Sequence, residues 1–237
     1  MFNFIPFDRY LVSMPESDKL GGFYDEKGGG FYYFNLMAFT TLLNIEIVGC
    51  EKLVVAELLR NYIHDCIHFS TYRTFRLVDD GKNNFTIYRE QYGINYRNQY
   101  GDSYSSKDLS KSIPKAINLN LLMDGVNAVY TSYIIDSIFK KDSFKTKNLL
   151  NKEILLDLTK LKISNFQLFD SCPIMFYNEV INPCKEFINY WGGFPFICIC
   201  LKAMFGGEPN LLNEYYEYKT QDKNYWINNF KQANFKI

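Results

Sequence analysis

Histidine is nearly absent from this chain: two occur among 237 residues, and tryptophan is equally sparse at two. Net charge is missing altogether, with Lys plus Arg and Asp plus Glu both at 26. No global field is available to recruit nucleic acid or an anionic membrane. RNA- and DNA-binding signatures are absent too, so nucleic acid is not an expected partner. No stretch approaches the roughly 18 apolar residues of a membrane span. The most apolar run, "FPFICICLKAMF" at 194–205, is interrupted by Pro195 and Lys202 and reads as a buried helix or strand. "MFNFIPFDRYLVSMPESDK" lacks a basic leader, and Asp8 and Arg9 stand where a secretory signal would continue its apolar core. A cleaved signal peptide is therefore not expected.

The six cysteines, at 50, 66, 172, 184, 198 and 200, form no CxxC pair and no regular framework. That pattern points to reduced, mostly buried thiols. The expected place of action is cytoplasmic, or a reducing cytosol reached by export without a cleaved signal. Phosphate-cradling loops are also missing, because Gly28, Gly29 and Gly30 match neither GxxxxGK[ST] nor GxGxxG.

What the chain does have is core material, with 47% hydrophobic and 18% aromatic residues. Disorder needs low hydrophobicity with high net charge, and this chain has neither. "LGGFYDEKGGGFYYF" reads as two short segments joined by turns. From 51 to 72 the apolar positions Val55, Leu59, Tyr62, Cys66 and Phe69 recur at three and four residues, which predicts a helix. "TFRLVDDGKNNFTIYREQYG" alternates around an Asp-Gly-rich connection and predicts a β-hairpin. The polar segment that follows, to about Lys115, reads as a surface loop. Helices are predicted at about 118–139, 148–162, 173–190, 195–205, 209–218 and 223–233. The expected class is α+β, mostly helical, in one domain over 1–237 with a small antiparallel element. Its parts are a Gly- and aromatic-rich opening segment at 1–35, a histidine helix at 51–72, a hairpin at 73–100 and a helical part at 118–237.

Both histidines fall in "NYIHDCIHFSTYR", four residues apart. On a helix, Glu57, Asn61, His64 and His68 share one narrow polar face, opposite the apolar stripe. Two imidazoles at that spacing can bind one divalent metal, because one turn brings their ring nitrogens together. The segment His64-Asp65-Cys66-Ile67-His68 resembles the HExxH signature of the zincin metallopeptidases, over these five residues. The resemblance implies that His64 and His68 hold zinc and that Asp65 acts as general base, with a third ligand from downstream. Here the chain departs from the family, since Asp is one methylene shorter than Glu. A zinc site without peptidase activity is one consequence of that shortening. Asp124 is the preferred third ligand, an acid inside an otherwise apolar helix and next to Gly125; Glu90 and Glu179 are alternatives.

Two further constellations stand out. Tyr72, Arg73, Arg76, Arg89, Tyr92 and Arg97 interleave guanidinium forks with flat aromatic surface. Of these, Tyr72, Arg73, Arg89 and Tyr92 are the expected grip on an anionic or peptide ligand; ordinary cross-strand pairing within the hairpin is the simpler account of them. In "FDSCPIMFYNE", Ser171 and Pro173 would start a helix with Cys172 at its N-terminus, where the dipole lowers a thiol pKa. The expected function is a zinc-type metal-dependent hydrolase, peptidase-like, acting on a protein or peptide. The alternatives are a non-catalytic protein-interaction module and a cysteine hydrolase or acyltransferase using Cys172.

Overall fold

The structure is a computed structural model, and it describes residues 2–13, 24–25, 31–35, 51–79, 81–82, 84–97, 104–105, 119–140 and 182–223. Among these the fold is α+β and mostly helical, as the sequence predicts. The predicted helix at 148–162, residues 173–181 of that at 173–190, all but the first residue of that at 223–233, the Gly28–Gly30 turn, Cys172 and Glu179 lie outside the described residues. No single described helix is long and apolar enough to cross a membrane.

The chain divides into two compact units interleaved in sequence: Ser70–Val126 with Pro183–Ile237, and Phe2–Phe69 with Asn127–Asn182. The first unit carries the hairpin. Strands β4 (Arg73–Asp79) and β5 (Phe85–Tyr92) pair antiparallel, and β6 (Asn95–Arg97) and β7 (Tyr104–Ser105) extend the sheet in the order β4-β5-β6-β7. Both β6 and β7 fall in the stretch that reads as a surface loop. The difference has a physical cause: Ile94 and Asn95 are fully buried, and the Asn95 Oδ1 accepts a hydrogen bond from the Leu119 amide at 2.8 Å. That contact immediately precedes helix α2 (Asn120–Lys140). The turn between β5 and β6 needs Gly93, which has φ +55°; a Cβ there would stand 2.9 Å from Thr71 Cγ2. The buried Gln91 amide donates to the carbonyls of both Gly93 and Gly207, each at 2.9 Å. It thereby ties the hairpin to the helical part of its own unit.

That helical part comprises α3 (Asn182–Tyr190), α4 (Phe194–Gly206) and α5 (Asn210–Thr220). Pro195 sits in the first turn of α4, where its missing N–H costs nothing, and Gly207 closes the helix in the left-handed region with φ +68°. The apolar run of α4 is a core helix: Phe196, Ile197, Cys200, Leu201, Ala203 and Met204 are buried. Phe187, Trp191, Phe196, Tyr215 and Tyr216 form an aromatic cluster with ring centroids 4.7–6.5 Å apart.

The second unit holds a short 3-10 turn (Phe7–Arg9), β1 (Tyr10–Ser13), β2 (Tyr24–Asp25), β3 (Phe31–Asn35) and nearly all of α1 (Glu51–Ser70). Its sheet runs β1-β3-β2, parallel between β1 and β3 and antiparallel between β2 and β3. Ile5, Tyr32 and Cys66 form its core cluster, with Tyr10, Tyr62 and Phe69 packed around them. The Tyr62 hydroxyl donates to the Ile5 carbonyl at 2.7 Å, and the Ile5 amide donates to Cys66 Sγ at 3.4 Å. These two bonds fasten the N-terminal segment along α1.

Candidate functional site

Helix α1 forms where the apolar periodicity predicts it, and one turn of it carries both histidines. Their rings meet edge to face with centroids 4.7 Å apart, and the two Nε2 atoms stand 3.0 Å from one another. A contact this short between two ring nitrogens requires one to carry the hydrogen and the other its lone pair. Burial, His68 and Arg60, in that order, hold the His64 pKa well below the ordinary histidine range. His64 is therefore a neutral imidazole at neutral pH. Its Nδ1 is buried without a hydrogen-bond partner, while its backbone carbonyl accepts from the Asn127 side-chain amide at 3.1 Å. Thr131 in turn donates to Asn127 Oδ1 at 3.3 Å, so a buried polar ladder on α2 stands beside the first histidine.

The surroundings of the pair differ from the solvated polar face that the helical wheel suggests. Asn61 is buried and accepts a hydrogen bond from the Tyr10 hydroxyl. Arg60 is 1% exposed and Asp65 4% exposed. The reason is that α1 is covered on more than one side: Ile63 and Ile67 are buried as well as the predicted stripe residue Cys66. His64 and His68 themselves remain partly open to solvent. Burial raises the Asp65 pKa to about 7, against the opposing pull of His68 and Arg60. A carboxyl poised there can hold or release a proton near neutral pH, which suits acid–base chemistry.

The other expected site residues are distributed as follows. Asp124 belongs to the first unit and the histidines to the second. Its charge bears on Cys184, a buried thiol whose pKa is pushed up chiefly by desolvation and further by Asp124. Among the described residues, no group of three His, Cys, Asp or Glu side chains is placed to hold a metal ion. Arg73, Arg89 and Tyr92 do come together in the first unit. Arg73 pairs directly with Tyr92, and both guanidinium carbons lie over the Tyr92 ring, at 5.3 and 4.5 Å from its centroid. A bulge makes this possible: the register steps from Thr74↔Gln91 to Phe75↔Arg89, leaving Glu90 as the extra residue and turning Arg89 onto the face of Tyr92. Tyr72 is exposed, and its ring fills the space where a Cβ on Gly207 would lie. Glu90 is engaged by Arg76 in an ion pair on the outer part of the hairpin.

Sequence reasoning missed Arg60 and Asn127 as members of the histidine environment, and placed Asn61 on the histidine face without its burial. The signal for Arg60 and Asn61 was their place one turn before His64 on the same helix. For Asn127 there was only an amide inside an apolar helical run. Comparison with protein-family models, with curated proteins and with solved structures gives no match.

Proposed function

We propose that the chain is a metal-dependent, hydrolase-like domain acting on a protein or peptide, with His64 and His68 as two ligands of a zinc-like ion. One observation carries the reading, the convergence of the two Nε2 atoms at 3.0 Å on one turn of α1. Nitrogens bound at 2.0–2.1 Å in a tetrahedral zinc site are about 3.3 Å apart, so the two rings need little rearrangement to share an ion. As a donor set, two imidazoles fit zinc, copper, nickel or iron and do not suit magnesium or calcium. Such an ion, when bound, supplies Lewis-acid polarisation and a more acidic water.

The chain's own residues do the rest in this reading. Helix α1 fixes the spacing of the two rings, and the Asn127 amide holds the backbone at His64. Asp65, next to His64 and under the charge of Arg60, is the group that takes and returns a proton. Arg60 keeps that buried carboxyl in electrostatic balance.

Metal content by mass spectrometry, on wild type and His64→Ala, tests the assignment. One zinc or iron per chain, lost in the variant, is the expected result; metal-free wild type after reloading overturns it. With metal in place, Asp65→Asn should abolish peptide hydrolysis and Asp65→Glu should retain or raise it.

A second reading is favoured by the His64 Nδ1, which lacks the hydrogen-bond partner that metal-binding imidazoles ordinarily have. In that reading the pair is a packing contact and the chain a non-catalytic protein-interaction module. Unchanged partner binding in a His64→Ala/His68→Ala double variant would favour it.

A further inference from the structure

The β4–β5 hairpin exposes an apolar strip that no part of the histidine chemistry explains. Phe75 is 52% exposed, Leu77 63%, Phe85 63% and Ile87 72%. Alternation along β4 puts Arg73, Phe75, Leu77 and Asp79 on one face, and the register sets Leu77 against Ile87 and Asp79 against Phe85 on that same face. Four large apolar side chains side by side, each more than half exposed, mark an interaction surface rather than scattered surface residues. Among the described strands, β4 also stands at the edge of its sheet. Its sequence RTFRLVD spans seven residues with no proline, glycine or lysine, the devices that ordinarily blunt an exposed edge.

We propose that β4 pairs antiparallel with β4 of a second copy of this chain, about a two-fold axis at Arg76. The sequence of the strand is complementary to its own reversal about that point. Arg73 falls opposite Asp79 of the second copy, and Phe75 opposite its Leu77, each pair occurring twice. Charge therefore meets opposite charge at both ends, and apolar side chains meet in the middle. Cross-strand pairs of both kinds stabilise antiparallel sheets, and like charges directly opposed do the reverse. Only Arg76 meets its own kind, at the axis on the other face, and there the ion pair with Glu90 offsets its charge. An unrelated extended peptide would gain the same backbone hydrogen bonds but not this matched pattern. A two-fold, isologous contact is also the commonest form of homodimer.

Sedimentation velocity on the full chain, from about 1 µM to 1 mM, tests the pairing. A reversible monomer–dimer equilibrium is expected. Leu77→Lys, at an exposed position, should leave the circular dichroism unchanged and weaken dimerisation at least tenfold; Asp79→Lys should weaken it less. Arg76→Cys, in a Cys198→Ser background, should cross-link between copies under mild oxidation, because the two thiols meet at the axis. A chain that stays monomeric throughout overturns the proposal. So does a dimer that Leu77→Lys leaves intact or that Arg76→Cys fails to trap.

Discussion

Two regions of this molecule bury their residues equally deeply and to opposite electrostatic effect. Around Phe196, in the helical part of the first unit, everything packed together is aromatic or aliphatic: Phe187, Trp191, Phe196, Tyr215 and Tyr216 gain from leaving water and from their edge-to-face contacts. Along α1, in the second unit, Arg60, Asn61 and Asp65 are buried as completely, yet each carries a desolvation cost that must be offset by neighbours. The aromatic cluster accounts for stability. The α1 cluster is costly to maintain, and groups kept at such cost are where chemistry is to be sought.

The comparison can be broken most directly at its apolar end. Phe196→Ala should lower stability by about 3–5 kcal/mol, measured by chemical denaturation, since the ring is fully buried among four others. A loss below about 1 kcal/mol would mean that the cluster is not the dry core described here.

The α1 end can be sharpened by its pH dependence in metal-free protein. Asp65 has a folded-state pKa raised to about 7 from 3.8, so its proton is held more tightly in the folded than in the unfolded chain. The stability it contributes is full below about pH 4 and is lost as pH rises to about 7. His64 acts the other way: its value is lowered, so its contribution is present above about 6.5 and is lost as pH falls. Asp65→Asn should remove the first effect and leave the second. Its melting temperature relative to wild type should therefore climb between pH 4 and 7, and a flat difference would place the Asp65 carboxyl in water instead.

Thiol reactivity gives a smaller contrast within one helix. Cys198 is exposed on α4, whereas Cys200, two residues on, is buried and its thiol pKa is pushed well up by desolvation. Cys184 and Cys66 are buried as well. Alkylation followed by peptide mapping should modify Cys198 first among these four. The smallest effect is expected at the hairpin surface, where Arg76→Ala should cost no more than about 1 kcal/mol. The ion pair with Glu90 is solvent-exposed on the arginine side and correspondingly weak.

Much of the framework could be read from local pattern. The periodicity of Val55, Leu59, Tyr62, Cys66 and Phe69 predicts α1, the alternation around "DDGKNN" predicts β4 and β5, and "WGGFP" and "GGEPN" bracket α4. The adjacency of His64 and His68 follows from helix geometry alone, because residues four apart share a face whatever surrounds them. What escaped the sequence were the non-local partners. β6 was hidden because Asn95 looks like a loop residue until its side chain is seen to bond the Leu119 amide. The burial of Asn61 was hidden because a helical wheel shows which residues share a face, not what covers it.

The sequence by itself therefore determined α1, the β4–β5 hairpin, the spacing of the two imidazoles and the apolar run of α4. Hydrogen bonding within one helix and side-chain alternation within one strand involve only neighbours along the chain. Tertiary structure alone decided that Asp65 is buried with Arg60, that the charge of Asp124 bears on the buried Cys184, and that a bulge at Glu90 brings Arg73 and Arg89 to one tyrosine ring. Desolvation and charge coupling depend on which distant segments pack together, and no local periodicity encodes that.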